Sequence, residues 1–160
     1  MKKNFWKDKK VFITGHTGFK GSWLSIFLHY LGAKITGYSL PPKKKSLYNK
    51  ANLKKIFTKS YSADVRDFKK LYSAIKDSKT DIVFHLAAQP LVLESYKNPL
   101  ETFQTNMIGT LNLIEAVRKL KYIKSAVIIT TDKVYDTKKN KVFKETDLLG
   151  GSDPYSMSKV

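Results

Sequence analysis

Short runs of apolar residues alternate along the chain with longer segments in which apolar positions recur every three or four residues. The first run, Val11–Ile13, has the length of a buried strand. After it, a stripe at helical spacing predicts a first helix that ends at Gly32, with Trp23, Ile26, Phe27, Tyr30 and Leu31 on the stripe. The chain therefore opens with a strand, a turn and a helix.

The same alternation continues to about residue 130. We predict strands at 34–39, 61–63, 81–86 and 126–130, and helices at 47–57, near 68–75 and at 98–120. The last helix would be capped by Asn98, begin at Pro99 and carry the stripe Leu100, Phe103, Met107, Leu111, Ile114 and Val117. Apolar strands that alternate with helices indicate an α/β fold, a parallel sheet with helices on both faces.

Three glycines occupy the first strand-to-helix turn at the spacing G-x-x-G-x-x-G. Gly15 would permit the tight turn, Gly18 would let the backbone approach a pyrophosphate, and Gly21 would let the helix pack closely on the strand. The helix N-terminus would offer unpaired N–H groups to the phosphates. This context favours a Rossmann-type, doubly wound dinucleotide-binding fold over the alternative, an ordinary glycine-rich turn.

Composition limits the class of protein. A chain of 160 residues without cysteine can form one domain with a real core, but neither disulfides nor a thiolate metal site. The three histidines, His16, His29 and His85, are scattered, and we expect no metal. The basic stretch Met1–Lys10 precedes an apolar run too short for a signal peptide, and no segment has the length of a membrane span. We expect a soluble cytoplasmic protein that binds no membrane.

The net charge of +17 raises the question of nucleic-acid binding. Of the 30 basic residues only Arg66 and Arg118 are arginine, and the lysines are spread along the whole chain. Base readout and bidentate phosphate contacts favour arginine, so we interpret the charge as a lysine-rich surface that attracts anionic nucleotides. No nucleic-acid partner is expected. The alternative, a basic nucleic-acid-binding module, predicts affinity that falls steeply with salt.

Tyr155 and Lys159 stand four residues apart, which places them on one face of a helix. A cation close to a phenol lowers its pKa from about 10 and makes a tyrosinate base accessible. Asp153 and Pro154 mark the start of that helix. The pair is therefore a candidate catalytic base and its supporting cation.

Several of these motifs together resemble one enzyme family. They are TGHTGFKG at 14–21, DVRD at 64–67, HLAAQ at 85–89, N-x-x-G-T at 106–110, T-D-K-x-Y at 131–135, GGSDPYS at 150–156 and Y-x-x-x-K at 155–159. The pattern is similar to the extended short-chain dehydrogenase/reductases that act on nucleotide sugars, and within them to the 4,6-dehydratases. The resemblance runs from about Trp6 to the last residue.

The resemblance implies NAD as cofactor and CDP-glucose as the nucleotide-sugar substrate. Carried over residue by residue, the NAD contacts would be Gly15, Thr17, Gly18, Phe19, Lys20, Gly21, Ser39, Asp64, Val65, Leu86, Ala87, Ala88, Thr105, Tyr155 and Lys159. Asp64 would bind the adenine amino group, with a helix-capping role as the alternative. Where an acidic residue should hold the adenosine ribose, this chain has Tyr38, Ser39 and Leu40, so the residues alone support NAD over NADP only weakly.

The resemblance also assigns the chemistry. Tyr155 would remove the proton of the sugar 4-hydroxyl, Thr131 would bind the C4 oxygen, and Asp132 would protonate the departing C6 hydroxyl, kept protonated by burial. Related dehydratases carry glutamate where Lys133 stands, so Lys133 would act either as a neutral base at C5 or as a cation beside the enolate. The alternative for Asp132 and Lys133 is an exposed turn pair.

The chain ends one residue after Lys159, whereas members of the resembled family continue well beyond. We therefore expect residues 1–160 to form an incomplete NAD-binding domain, without the substrate-binding region, in which so short a last helix cannot hold Lys159. The chain alone should be inactive. A dinucleotide-binding remnant and another nucleotide-sugar epimerase or dehydratase are the alternatives. Full-length members of the family are expected to be homo-oligomers.

Overall fold

Five parallel strands form the sheet of this computed structural model, which describes residues 5–136 and 142–160. They are β1 (Lys10–Thr14), β2 (Lys34–Ser39), β3 (Phe57–Ser62), β4 (Ile82–His85) and β5 (Ser125–Ile128), in the order β3-β2-β1-β4-β5. The winding direction reverses between β1 and β4, and the carboxyl ends of these strands form the crevice in which doubly wound sheets bind ligands. The predicted doubly wound parallel sheet is confirmed. Residues 1–4 of the basic N-terminal stretch and 137–141 of the polar C-terminal segment lie outside the described residues.

The helices alternate with the strands, as the periodicity predicts. They are α1 (Phe19–Tyr30), α2 (Leu47–Lys50), α3 (Phe68–Ser78), α4 (Val92–Lys97), α5 (Pro99–Phe103), α6 (Gly109–Lys119) and α7 (Pro154–Met157). A π-helical turn, Gln104–Ile108, joins α5 to α6 into one long helix, and short 3₁₀ turns occupy Leu53–Ile56 and Asp132–Val134.

Two hydrophobic clusters hold the helices on the sheet. On one face α3 and α6 cover Phe12, Tyr38 and Val83 of the three central strands. On the other face α1 packs Leu28 against Val11, Ile13 and Ile35. Helices thus lie on both faces, but the cover is incomplete at β5, where Val127 is 38% exposed.

The aromatic residues of the predicted α1 stripe face solvent rather than the sheet. Trp23, Phe27 and Tyr30 are 54%, 51% and 85% exposed, and the buried side of the helix consists of Gly21, Ser22, Ser25 and Leu28. Small residues face the sheet because α1 starts in direct contact with the glycine turn, where a larger side chain would collide with backbone. The helical period agrees with the prediction, and the aromatic part of the stripe forms the outward side of α1.

The long helix also turns much of its apolar stripe towards solvent. Its bounds and Pro99 at the first position agree with the prediction, but Leu100, Met107 and Leu111 are 70%, 52% and 58% exposed. The buried side carries Thr102, Asn106, Gly109, Leu113 and Ala116. Asn98 stands at the N-cap position without capping, because its side-chain amide donates to Glu94 in the preceding helix.

Three local predictions also need correction. The helix predicted at 47–57 is only α2 and a 3₁₀ turn, since Asn52 between them adopts a left-handed conformation with φ +48°. Phe57 then begins β3, which is longer than the predicted strand at 61–63. The helix α4 was not predicted.

Candidate functional site

The glycine turn lies at the switch point of the sheet, against the end of β4. Gly15 has φ +73°, and a Cβ there would stand 2.7 Å from the backbone nitrogen of Ala87. A Cβ at Gly21 would stand 2.1 Å from the carbonyl oxygen of Gly15. At Gly18 the nearest neighbour would be 3.3 Å away. Internal packing therefore requires Gly15 and Gly21 far more than Gly18, which leaves the exposed side of the turn open for close approach.

The N-terminus of α1 is left without a side-chain cap. Gly18 is the N-cap residue, makes no side-chain bond, and is followed by no acidic residue in the first turn. Gly18, Phe19 and Lys20 are all exposed. The free N–H groups and the positive end of the helix dipole therefore face solvent at the carboxyl edge of the sheet, an arrangement that suits a phosphate.

A pair of hydroxyl groups occupies the end of β2, where an acidic residue would hold a ribose. Thr17 Oγ1 donates to the carbonyl oxygen of Leu40 at 3.1 Å and lies 2.7 Å from Ser39 Oγ. Ser39 is 9% exposed. The glycine turn and the end of β2 are thus joined by neutral groups, and the exposed Lys43, Lys44 and Lys45 follow in the next loop.

Asp64 follows β3 and is held by Arg66. Its Oδ1 accepts from the Arg66 backbone at 2.9 Å, and its Oδ2 accepts from the guanidinium at 2.9 and 2.6 Å. These bonds hold the pKa of Asp64 below its usual range. The capping alternative for Asp64 is wrong, because Asp67 caps α3. Val65 is only 4% exposed and packs in the core, so its side chain offers little surface to an adenine ring.

Asn106 connects the segment after β4 to the last helix. Its Oδ1 accepts from the Gln89 backbone nitrogen at 2.8 Å, and its Nδ2 donates to the Gln89 carbonyl at 3.1 Å and to Ser158 Oγ at 2.8 Å. These three bonds satisfy the buried amide of Asn106. Leu86, Ala87 and Ala88 beside it and Thr105 in the π turn are half-buried.

The single turn of α7 carries Tyr155. Asp153 caps it, accepting from the backbone nitrogen of Ser156 at 2.9 Å and from its hydroxyl at 2.6 Å. The backbone nitrogen of Tyr155 donates to Ser95 Oγ of α4 at 3.1 Å, and its carbonyl accepts from Ser158 at 2.7 Å. Contacts from outside the turn therefore hold Tyr155 at the carboxyl edge of the sheet.

Lys159 lies two residues past α7 and reaches back to the sheet. Its Nζ donates to the carbonyl oxygen of Ile129, just after β5, at 3.2 Å. Burial lowers the pKa of Lys159 below its ordinary value. We expected so short a helix to leave Lys159 unplaced; in the structure this bond places it.

Thr131 caps the 3₁₀ turn Asp132–Val134, which lies just beyond β5 and carries Asp132 and Lys133. Thr131 Oγ1 donates to Asp132 Oδ1 at 3.0 Å and accepts from the Lys133 backbone nitrogen at 3.3 Å. Asp132 and Lys133 are both exposed. The burial expected around Asp132 is therefore wrong for this chain, and the exposed turn pair describes its geometry. All three residues nonetheless lie at the edge that carries the glycine turn.

A sequence profile of the family described as GDP-mannose 4,6 dehydratase matches residues 12–160. The chain belongs to this family. CDP-glucose 4,6-dehydratase of Salmonella typhimurium is 49% identical over 159 residues, which are 98% of this chain and 44% of that enzyme. The chain spans less than half the length of the first curated relatives it matches.

Solved structures of this family's fold agree with the sheet described above. UDP-glucose 4-epimerase of Bifidobacterium longum, in complex with NAD⁺ and UDP, is 27% identical, with a TM-score of 0.80 over 93% of this chain and 45% of the epimerase. UDP-glucose-4-epimerase of Stenotrophomonas maltophila superposes with a TM-score of 0.81 over 94% of this chain and 45% of that one, at 24% identity. The Rossmann-type fold of the family is therefore present in this chain.

Two searches of the described residues gave negative results. Residues 5–136 and 142–160 contain no group of three or more His, Cys, Asp or Glu side chains placed to hold a metal ion. In the same part of the chain, no helix combines the length and the apolar character that crossing a membrane requires.

Sequence reasoning missed the residues that support the last helix. Ser95 is fully buried in the unpredicted α4, where it accepts from Tyr155 and donates to Val92. Gln89 and Ser158 lie within quoted motifs but had no assigned role. No periodicity could reveal them, because their contacts span 17 to 60 residues.

Proposed function

We propose that the chain, residues 1–160, is the NAD-binding part of a cytoplasmic CDP-glucose 4,6-dehydratase. Such an enzyme converts CDP-glucose to CDP-4-keto-6-deoxyglucose and water. One observation carries the proposal: the uncapped start of α1 and the Tyr155–Lys159 segment share the carboxyl edge of the sheet. The 49% identity with the Salmonella typhimurium enzyme supports the choice of substrate. Because the chain is less than half as long as that relative, the sugar-binding region is proposed to lie outside it.

The residues present fit a dinucleotide. Gly18 leaves room for a pyrophosphate at the free end of α1, and the Ser39–Thr17 pair can bond ribose hydroxyls. Two relatives of known structure are described as NAD complexes, which supports NAD over NADP. When bound, NAD supplies the hydride acceptor that takes hydrogen from C4 and returns it to C6. Comparing the affinities of NAD and NADP tests this choice.

Tyr155 is proposed to take the proton of the sugar 4-hydroxyl. Lys159, held by the Ile129 carbonyl on the same segment, is proposed as the cation that supports this base. Thr131 donates a hydrogen bond to the C4 oxygen, for which its hydroxyl must leave Asp132. The resulting 4-keto group makes the proton at C5 acidic.

Asp132 and Lys133 are proposed to carry out the elimination. Asp132 gives its proton to the departing C6 hydroxyl, which leaves as water. Lys133 either accepts the C5 proton as a neutral amine or stabilises the enolate as an ammonium. Both side chains are exposed in this chain, so they would be enclosed only when the sugar covers the turn.

The test is a turnover assay with CDP-glucose and NAD that follows the 4-keto-6-deoxy product by its absorbance in alkali. One arm contains the chain alone, and the other adds the C-terminal part of the Salmonella typhimurium relative. We expect product only in the second arm. In that arm Tyr155→Phe should lower the rate of product formation by a factor of about one hundred or more. Tyr96→Phe, an exposed tyrosine of α4, is the matched control. Absence of product in both arms would reject the proposed activity.

A homo-oligomer is part of the same proposal. Leu100, Met107, Leu111 and Ile114 form an outward apolar stripe along α5 and α6, 49–70% exposed. Such a stripe is typical of a helix that packs on a partner. Leu111→Lys should lower the mass measured by light scattering, whereas Lys119→Glu at the end of α6 should not.

A dinucleotide-binding chain without turnover is the second candidate. It is favoured by the lengths of the relatives, because this chain matches only 44% of the first one. It predicts that NAD raises the melting temperature while neither arm of the assay gives product. Conversion of UDP-glucose to UDP-galactose would instead identify an epimerase, the activity named for several relatives.

A further inference from the structure

The hydroxyl of Thr14, at the carboxyl end of β1, is fully buried and has three side-chain or backbone neighbours. The backbone nitrogens of Leu86 and Ala87 donate to its Oγ1 at 3.2 and 3.1 Å, and His85 Nδ1 lies 2.8 Å away. N–H groups cannot accept, so a bare Nδ1 is the one acceptor among these three for the Thr14 proton. Nδ1 of His85 therefore accepts and carries no proton.

The other ring nitrogen of His85 then carries the proton of the neutral imidazole. His85 Nε2 lies 3.1 Å from Thr110 Oγ1, and Thr110 Oγ1 donates to the carbonyl oxygen of Asn106 at 2.5 Å. Because the Thr110 proton goes to that carbonyl, the Thr110 oxygen accepts from His85. Each hydrogen bond in the chain Thr14–His85–Thr110–Asn106 thus has a defined donor and a defined acceptor.

Asn106 extends this chain to the catalytic segment. Its side-chain amide bonds both backbone groups of Gln89 and donates to Ser158, whose hydroxyl donates to the Tyr155 carbonyl. The end of β1, the end of β4, the π turn, the start of α6 and the residue just past α7 meet here. His85 joins the first two to the start of α6.

We propose that His85 is a positioning residue, fixed as the Nε2–H tautomer, that locks the backbone after β4 to the helix that carries Asn106. Through this link it holds Leu86–Ala88 in register with α7. The role rests on the proposed function, since those two segments are the proposed nicotinamide and catalytic regions. An apolar side chain could fill the same space but could not accept from Thr14 and donate to Thr110.

The surroundings keep His85 neutral. Burial, together with the smaller effect of the positive charge of Lys159, lowers its pKa to about 4. Protonation would also place an N–H at Nδ1, directed at a hydroxyl that already faces two N–H donors. His85 therefore keeps one tautomer at neutral pH, and Lys159 remains the cation at this part of the edge.

The first test reads the tautomer directly, without any ligand. In ¹⁵N NMR of the full chain, the His85 ring should show a protonated Nε2 and an unprotonated Nδ1 throughout pH 6–8. The His85→Asn variant assigns its signals among the three histidines. An Nδ1–H tautomer, or an imidazolium at pH 6, would overturn the proposal even if the chain binds NAD.

The second test separates positioning from general stability by amide hydrogen exchange. In His85→Phe, exchange of the Ala87 and Gln89 amides should rise about tenfold more than that of Ile35 in β2. His85→Asn, which can still accept from Thr14, should restore protection at Ala87 but not at Gln89. His29→Phe, on the exposed side of α1, is the matched control. Equal increases at all sites would reduce His85 to a packing residue and overturn the proposal.

A third arm connects the link to the dinucleotide. If the parent chain binds NAD, His85→Phe and Thr110→Val should each weaken NAD binding about tenfold. Their combination should weaken binding less than the product of the two effects, since both break one chain. Full additivity would reject the link. A parent chain that does not bind NAD would reject the proposed function, while the NMR and exchange results would still judge the role of His85.

Discussion

Gly21 packs its bare Cα against the carbonyl oxygen of Gly15, so closely that a Cβ would stand 2.1 Å from that oxygen. The backbone fixes the position of a Cβ, and the oxygen it would meet is itself a backbone atom, so no change of rotamer relieves such a contact. We therefore expect Gly21→Ala to push α1 away from the turn and to cost about 3 kcal/mol of unfolding free energy. Urea unfolding measures the loss.

Gly150→Ala is the control for this prediction, since a Cβ there would meet nothing within 4 Å. It should change the unfolding free energy by less than about 0.5 kcal/mol. If Gly21→Ala were equally mild, the close packing of α1 on the glycine turn would be refuted.

The burial of small residues and the exposure of aromatic residues on α1 give a second prediction. Ser25 is fully buried and donates to the Gly21 carbonyl at 2.7 Å, whereas Trp23 is 54% exposed. Ser25→Val should cost about 2 kcal/mol, because it overfills a close contact and removes a bond. Trp23→Gln should stay within about 0.5 kcal/mol. Thermal unfolding of both variants decides between the two faces, and the opposite ranking would restore the aromatic stripe as the core.

Two buried histidines predict a loss of stability in mild acid. Burial lowers the pKa of His16 and of His85 to about 4, from 6.5 for the ordinary side chain. As the pH falls through this window the unfolded chain binds protons that the folded chain does not, so unfolding becomes easier. Each histidine should remove up to about 3 kcal/mol. Urea unfolding measured from pH 7 to pH 4.5 checks this window.

The carboxylates act at lower pH than the histidines. Hydrogen bonds from Arg66 lower the pKa of Asp64, so its contribution to the free energy of unfolding is lost only as the pH falls through that lowered value.

In His85→Asn the loss of unfolding free energy between pH 6.5 and 4.5 should be about half that of the parent chain. A parent curve that stays flat in this range would contradict the neutral burial of both rings.

Asn106 gives a fourth prediction, because both N–H groups of its buried amide are used. Asn106→Asp keeps the shape but removes the donors to Gln89 and Ser158 and buries a carboxylate. We expect a loss of about 3 kcal/mol in unfolding free energy. Gln104→Glu makes the same chemical change at an exposed position of the same π turn and should be nearly neutral. Equal effects of the two variants would show that the Asn106 contacts contribute little.

The order of strands and helices could be predicted from the sequence, because short runs with apolar or β-branched residues alternate with stripes at helical spacing and several of the turns between them carry glycine or proline. Lys34–Ser39 agrees with its prediction residue for residue. The direction of the amphipathic faces could not be predicted. Periodicity shows that Trp23 and Phe27 share a side of α1 but not which side faces the sheet, and contact with a glycine turn decides that.

The residues of the candidate site divide in the same way. Gly15, Gly18 and Gly21 are recognisable because their spacing has a local mechanism. Ser95 and Thr110 are not, because each acts through a partner far away in the sequence or hidden by tertiary packing. The exposure of Asp132 could not be foreseen either, since burial depends on what covers a turn and not on its own residues.

The strand order also determines when each part of the sheet can form during synthesis of the chain. The central strand β1 is made first, but it pairs with β4, and Thr14 meets His85 71 residues later in the chain. Until β4 leaves the ribosome, one edge of β1 has no partner, and a sheet with such distant pairings closes slowly. The arrival of β4 brings Gly15 against Leu86 and Ala87. The glycine turn is therefore completed by the fourth strand, well before the segment with Tyr155 has been synthesised.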